Sequence, residues 1–124
     1  MAYHYLWLEI LMLIHIIVSW LLSALALWMV AQMVPGIELR GFGDALIATL
    51  VIAVVNATIG PILRFFSFPL VFLTLGLFLL VVNAILLKLA SLFTPGFKIR
   101  GFLSAVIGSV VLTILTWILR RLVF

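Results

Sequence analysis

Residues 34–42 read VPGIELRGF, and residues 94–102 read TPGFKIRGF. Five of the eight positions from Pro35 to Phe42 recur at an offset of sixty: Pro-Gly, then Arg-Gly-Phe. An apolar compositional bias does not supply that phrase. Pro35 and Pro95 each stop a helix, because proline lacks the amide hydrogen a helix needs. The glycine that follows tolerates positive φ, and IELR and FKIR then alternate apolar with charged residues, as a short extended segment does. Phe42 and Phe102 open the next apolar run. Each copy therefore reads as the turn of a helical hairpin, and the offset reads as a tandem duplication. Glu38 in one copy stands where Lys98 stands in the other, so two such segments lying side by side carry opposite charges across the pair. In a register centred on Leu39 and Ile99, Glu38 faces Arg100 and Arg40 faces Lys98. A shifted register sets Glu38 against Lys98.

Outward from these two phrases the chain is almost entirely apolar. Of its 124 residues 69% are hydrophobic and 8% charged, and mean hydropathy is +1.56. That leaves too little polar surface to cover a water-soluble globule. Uncharged runs cover 10–37, 45–63, 65–87 and 101–119, each at or above the roughly 18 residues expected of a membrane-crossing helix. The expected fold is an all-α integral membrane protein of four spanning helices, about 5–34, 43–63, 70–94 and 101–122. It forms one membrane domain over 1–124, built as two tandem, parallel-repeat hairpins of about 20–63 and 70–122. Their short extended Pro-Gly loops emerge on one face. Residues 1–19 lengthen the first span, which is too long for a secretory signal and lacks a basic leader, so it reads as retained. Between the hairpins, GPILRFFSFP (60–69) reads as a tight interfacial turn bounded by Pro61 and Pro69, with its phenylalanines at headgroup level.

Function classes narrow accordingly. The chain has no cysteine, so there is no disulfide frame or thiolate metal site. It contains no HExxH, phosphate loop or Ser/His/Asp set, and the expectation is no enzyme, no catalytic residue, no cofactor and no metal. The net charge of +4 is spread over termini and loops, which suits anionic lipid headgroups and not a nucleic acid. The expected partners are the bilayer and further copies of the chain. The basic C-terminal LRRLVF points to termini in the cytoplasm.

Ionisable and polar residues inside spans are the candidate functional positions. Glu9 and His15 share an arc of about 140° on the first helix with His4, Ser19 and Ser23, a candidate polar path set against the plainer reading of an end-of-helix carboxylate and a satisfied histidine. Ser109, Thr113 and Thr116, with Arg120, follow helical spacing in the last span. They either line a crevice or donate back to their own helix. Gly101, Ser104 and Gly108 give the small-xxx-small spacing of close helix packing. Asn56 and Asn83 place amides at mid-span, where each needs a partner to offset its desolvation. They read as structural glue, with Pro61 and Gly76 as further structural positions and Glu38, Arg40, Lys98 and Arg100 as loop contacts.

The stretches NATIGPIL (56–63), PLVFLTLGLFLLVVNAILL (69–87) and PGFKIRGF (95–102) resemble phage holin family 4, the YvlD-like small bacterial membrane proteins. The resemblance covers about 20–119. It implies four spans in a bacterial inner membrane, with Asn56, Pro61, Pro69, Thr74, Gly76, Asn83, Pro95, Gly96 and Phe102 on recurring motif positions. It supplies no catalytic residue. The absence of catalytic motifs, the small-residue helix faces and the duplicated loops together lead to the expectation of a non-enzymatic, holin-like protein that acts by self-association, as a pore or as an envelope-stress component. The alternatives are a small transporter or ion-conducting bundle using Glu9 or the fourth-span stripe, and a scaffold for another membrane protein.

Overall fold

A computed structural model describes residues 2–124, with side chains from Tyr3 onward. Met1, the first residue of the expected lengthened segment, lies outside the described residues. Four helices, α1 (Ala2–Met33), α2 (Phe42–Leu73), α3 (Phe78–Leu92) and α4 (Phe102–Val123), alternate with two short strands, β1 (Ile37–Leu39) and β2 (Phe97–Ile99). The helices form because apolar residues dominate every side of each segment and the backbone amides of a lipid-embedded chain must be satisfied internally. Each helix packs on the next, and α4 returns to α1. The result is a four-membered ring in which α1 lies diagonally across from α3 and α2 from α4.

Three of the helices, α1, α2 and α4, are long and apolar enough to cross a membrane; α3 is a shorter apolar helix. At about 1.5 Å per residue α1 and α2 run roughly 48 Å, α4 about 33 Å and α3 about 22 Å. The turns of residues 74–77 continue the α3 segment outward, through bonds from the Leu77 amide to the Thr74 carbonyl and from the Leu79 amide to the Gly76 carbonyl.

The link between the second and third helices departs from the sequence expectation. Residues 60–69 are not a turn. Pro61 and Pro69 both lie inside α2, which continues to Leu73. Each proline removes one backbone bond, yet a membrane helix tolerates that loss better than an unwound chain, whose freed amides and carbonyls would face lipid. The chain reverses only where two consecutive residues take positive φ, Leu75 at 55° and Gly76 at 91°. There the Gly76 amide donates to the Val71 carbonyl at 2.8 Å, a Schellman-type helix end. The Thr74 hydroxyl donates back to the Leu70 carbonyl and accepts from the Phe78 amide at 3.0 Å, linking the end of α2 to the start of α3. Gly76, expected as a packing position, therefore acts through its backbone: a Cβ there would meet nothing within 4 Å.

The core lies toward the strand end. Leu27 and Val30 of α1, Ala48 of α2, Ala84 and Leu87 of α3 and Ala105 of α4 close on Ile37, Phe97 and Ile99. Phe97 is among the largest fully buried side chains. A second cluster, Val55 with Val82, Leu86 and Ala90, joins α2 to α3. On the α1–α2 side the Trp20 indole donates to the Leu46 carbonyl and the Thr49 hydroxyl, at 3.0 and 3.1 Å.

Candidate functional site

Two features concentrate the polar residues of the molecule: a two-stranded clasp at one end of the bundle, and a crevice that enters from the other.

The clasp joins the two Pro-Gly segments. β1 and β2 pair antiparallel with Ile37 opposite Ile99, Glu38 opposite Lys98 and Leu39 opposite Phe97. Alternation along a strand sends Ile37, Phe97 and Ile99 into the core and leaves Glu38 and Lys98 outside. The contacts around this ladder are reciprocal. The Arg40 amide donates to the Gly96 carbonyl at 3.1 Å and the Arg100 amide to the Gly36 carbonyl at 2.6 Å. A Cβ on Gly36 would sit 2.3 Å from Ser104 Oγ, and one on Gly96 would sit 2.2 Å from Asp44 Cγ. Each glycine is thus pressed against the first turn of the other half's second helix. Ser104 completes its contact by donating to the Pro35 carbonyl at 2.9 Å. Of the expected loop residues, Glu38 pairs with Arg100 at 2.9 Å and Arg40 with Asp44 at 3.5 Å. Both pairs are largely exposed, so each contributes no more than about 1 kcal/mol; the ladder and the buried apolar residues hold the clasp. Lys88 lies seven residues before Pro95, a spacing from which its ammonium is expected to extend to the loop side. Its ammonium reaches up from α3 to the Ile99 carbonyl, tying β2 to the bundle.

Gly108 lies under the same clasp, its would-be Cβ 2.2 Å from Ile37 Cδ1. Gly101 does not pack closely: it has φ of 87° and open space around it, and it starts α4. The small residues Ser104 and Gly108 of α4 serve contact within this chain, seating β1.

Below the clasp core, side chains of all four helices leave a crevice between the diagonal helices α2 and α4. Its outer part, about 490 Å³, is lined by Ser23, Asn56, Thr113, Thr116, Trp117 and Arg120 among others. It continues inward through a space of about 120 Å³ where Asn56, Asn83, Ser109 and Thr113 converge. Asn83, Ser109 and Thr113 also border a further 150 Å³ between α3 and α4. The Ser109 and Thr113 hydroxyls donate to the carbonyls of Val106 and Ser109 in their own helix, at 2.9 and 2.8 Å, leaving lone pairs turned to the space. The bond expected from Asn56 or Asn83 to each other or to backbone is not among the side-chain hydrogen bonds of the described residues.

Of the first-helix stripe, Ser23 borders the crevice, while Glu9 and His15 lie apart from it. Glu9 and His15 are exposed, and the His15 ring lies against Phe124, centroids 4.4 Å apart. That contact places the two chain ends on the side opposite the clasp. Counted along the helix axes from the clasp, Arg120, Arg64 and Glu9 lie roughly 27, 33 and 36 Å away. Together with the clasp charges they bracket an apolar slab close to the ~30 Å of a bilayer core. Among the described residues no group of three or more His, Cys, Asp or Glu is placed to hold a metal ion.

Apolar helices arranged in a ring, with charge confined to two levels, define a small multi-pass membrane protein in contact with the lipid bilayer. Over residues 14–118 the chain matches the family model described as "Mycobacterial 4 TMS phage holin, superfamily IV", and it belongs to that phage holin family of four-span proteins. The match begins ahead of residue 20, taking in the second half of α1. Among curated proteins it is 37% identical over 105 residues to the uncharacterized membrane protein YvlD of Bacillus subtilis, covering 84% of this chain and 88% of that one. It is also 40% identical over 79 residues to an uncharacterized protein of Streptomyces coelicolor, covering 60% and 63%. No solved structure matches the chain significantly.

Proposed function

We propose that the protein is a non-enzymatic, holin-like component of a bacterial inner membrane that acts by self-association, with both termini in the cytoplasm. The observation that carries this reading is the closed clasp. In one chain the apolar cluster of Leu27, Val30, Leu87, Phe97 and Ile99 stands across the end of the crevice, so a single copy offers no through-path and a permeability change needs several copies or an opened clasp. The outward surfaces of all four helices are apolar and unoccupied within the chain, as at Ile47, Val54, Leu79 and Ile107. Since Ser104 and Gly108 are engaged under the clasp, the contact between copies lies on such larger apolar residues.

Two tandem hairpins from one duplication, about 20–63 and 70–122 within a single domain 1–124, underlie this form. The reciprocal Gly36–Ser104 and Gly96–Asp44 contacts support that reading, because they are what a pseudo-twofold axis between Glu38 and Lys98 requires. The exposed basic residues at both charge levels suit anionic lipid headgroups. An ion-conducting bundle is the second reading, favoured by the placement of Thr113 and Thr116 in the crevice; Glu9, outside it, has no part in that version.

Particle size in lipid nanodiscs and chemical crosslinking in native membranes test the proposal. Discrete species of two or more copies are expected. A strictly monomeric protein in both settings contradicts self-association.

A further inference from the structure

We infer that the crevice is a hydrated half-passage that draws small inorganic anions from the terminus-bearing face to mid-membrane and stops beneath the clasp. It is a property of the single chain and does not rest on self-association.

The argument starts from the two amides. Asn56 and Asn83 lie in the middle of apolar helices with no side-chain hydrogen-bond partner among the described residues, a costly position if their surroundings are hydrocarbon. Asn56 is exposed and Asn83 half-buried, no buried side-chain nitrogen or oxygen among the described residues lacks a partner, and both amides border the inner space of the crevice. The crevice also presents the spare lone pairs of Ser109 and Thr113. A space of about 120 Å³ bordered by four polar side chains exceeds the roughly 30 Å³ share of a single water and offers each water several partners. Irregular polar lining at this depth is tolerated in membrane proteins where it faces water.

The sign of the charge follows from the mouth. Arg120 is the sole charged residue lining these spaces among the described residues. It stands one helix end away from Ser109, about 16 Å along α4, so the wet path covers about half the membrane. A guanidinium at the entrance of a low-dielectric cleft, with the Arg121 guanidinium close by over the ring of the lining Trp117 at 5.1 Å, raises the local concentration of anions and lowers that of cations. The side-chain amides of Asn56 and Asn83 further in supply N–H donors for a partly dehydrated anion, while Ser109 and Thr113, whose hydroxyl protons go to backbone carbonyls, offer lone pairs to the waters around it. The inner end is apolar, where Leu87 and Ile52 meet the clasp core.

The cysteine-free sequence makes the test direct. Single cysteines at Thr116, Thr113, Asn56 and Asn83 in the full chain, in oriented membrane vesicles, are exposed to an anionic thiol reagent (a sulfonatoethyl methanethiosulfonate) or its trimethylammonium counterpart. Val54→Cys, at the same depth as Asn56 but on the outer surface, reports lipid exposure, and Leu27→Cys reports the core. All four crevice positions are expected to react from the terminus-bearing face only, with the anionic reagent roughly tenfold faster, the low end of cleft focusing. Val54→Cys and Leu27→Cys stay unreactive, adding Arg120→Gln lowers the preference, and adding Arg120→Gln with Arg121→Gln removes it, neither closing access. If Asn83→Cys fails to insert, the size-conserving Thr113→Cys and Thr116→Cys carry the experiment. Crevice cysteines as inert as Val54→Cys overturn the hydrated path. Equal rates for the two reagents, or faster reaction of the cation, overturn its assignment to anions.

Discussion

At the scale of single residues, the glycines of the clasp hold more of the structure than its charges do. Gly36 combines a φ of 93° with contact so close that a Cβ would fall 2.3 Å from Ser104 Oγ. Gly36→Ala meets both penalties. A strained backbone position costs about 1–3 kcal/mol, and the displaced hydroxyl also loses its bond to the Pro35 carbonyl. Gly43, four residues past the end of β1 and in the first turn of α2, has nothing within 4 Å of a would-be Cβ, and Gly43→Ala gains up to about 1 kcal/mol of helix propensity. Thermal unfolding in detergent separates the two: Tm falls for Gly36→Ala and holds or rises for Gly43→Ala. Equal shifts would mean that the clasp is not seated on α4 as described. The surroundings of the two crevice amides depend on more than their own positions. That Asn56 and Asn83 lie at mid-span was plain from their positions, but which neighbours they face depends on how α2, α3 and α4 are rotated about their axes. Helices apolar on every side give periodicity little to work with.

Among the elements, the helix ends next to the Pro-Gly phrases were legible because proline, glycine and a charged alternation mark them together. The end of α2 was not. Pro61 and Pro69 carry the ordinary signature of a turn, and in water that reading holds more often; in lipid the exposed backbone of a turn is the worse alternative, so the helix runs through both. The reversal is set instead by Leu75 and Gly76, and Leu75 is the only non-glycine residue with positive φ among those described. Leucine at 55° carries roughly 1–2 kcal/mol of left-handed strain, and its side chain is 94% exposed, so little packing is lost by removing it. Leu75→Gly is therefore expected to raise Tm, partly offset by the greater freedom glycine gives the unfolded chain. A fall in Tm beyond about 1 kcal/mol equivalent would place the chain reversal elsewhere.

For the whole molecule, the hairpin of α1 and α2 and the hairpin of α3 and α4 close into one ring of helices and are locked to each other at one end. The locking contact brings together residues sixty apart in sequence, above a polar crevice open to the opposite face. It was foreshadowed by the repeated phrase, while its register, with Glu38 opposite Lys98, was one of two the sequence allowed. Opposed strand residues place their Cβ atoms about 4.5–5.5 Å apart, near enough for a disulfide after modest adjustment. The most direct measurement is thus oxidative crosslinking of the double variant Glu38→Cys/Lys98→Cys in native membranes, read by mobility on a denaturing gel with and without reductant. The expected product is a monomer with an internal bond, faster-migrating until reduced, with no such product from either single variant. A double variant that forms only chain-to-chain dimers, or forms no bond at all, would contradict the clasp within one chain and with it the closed form of the bundle.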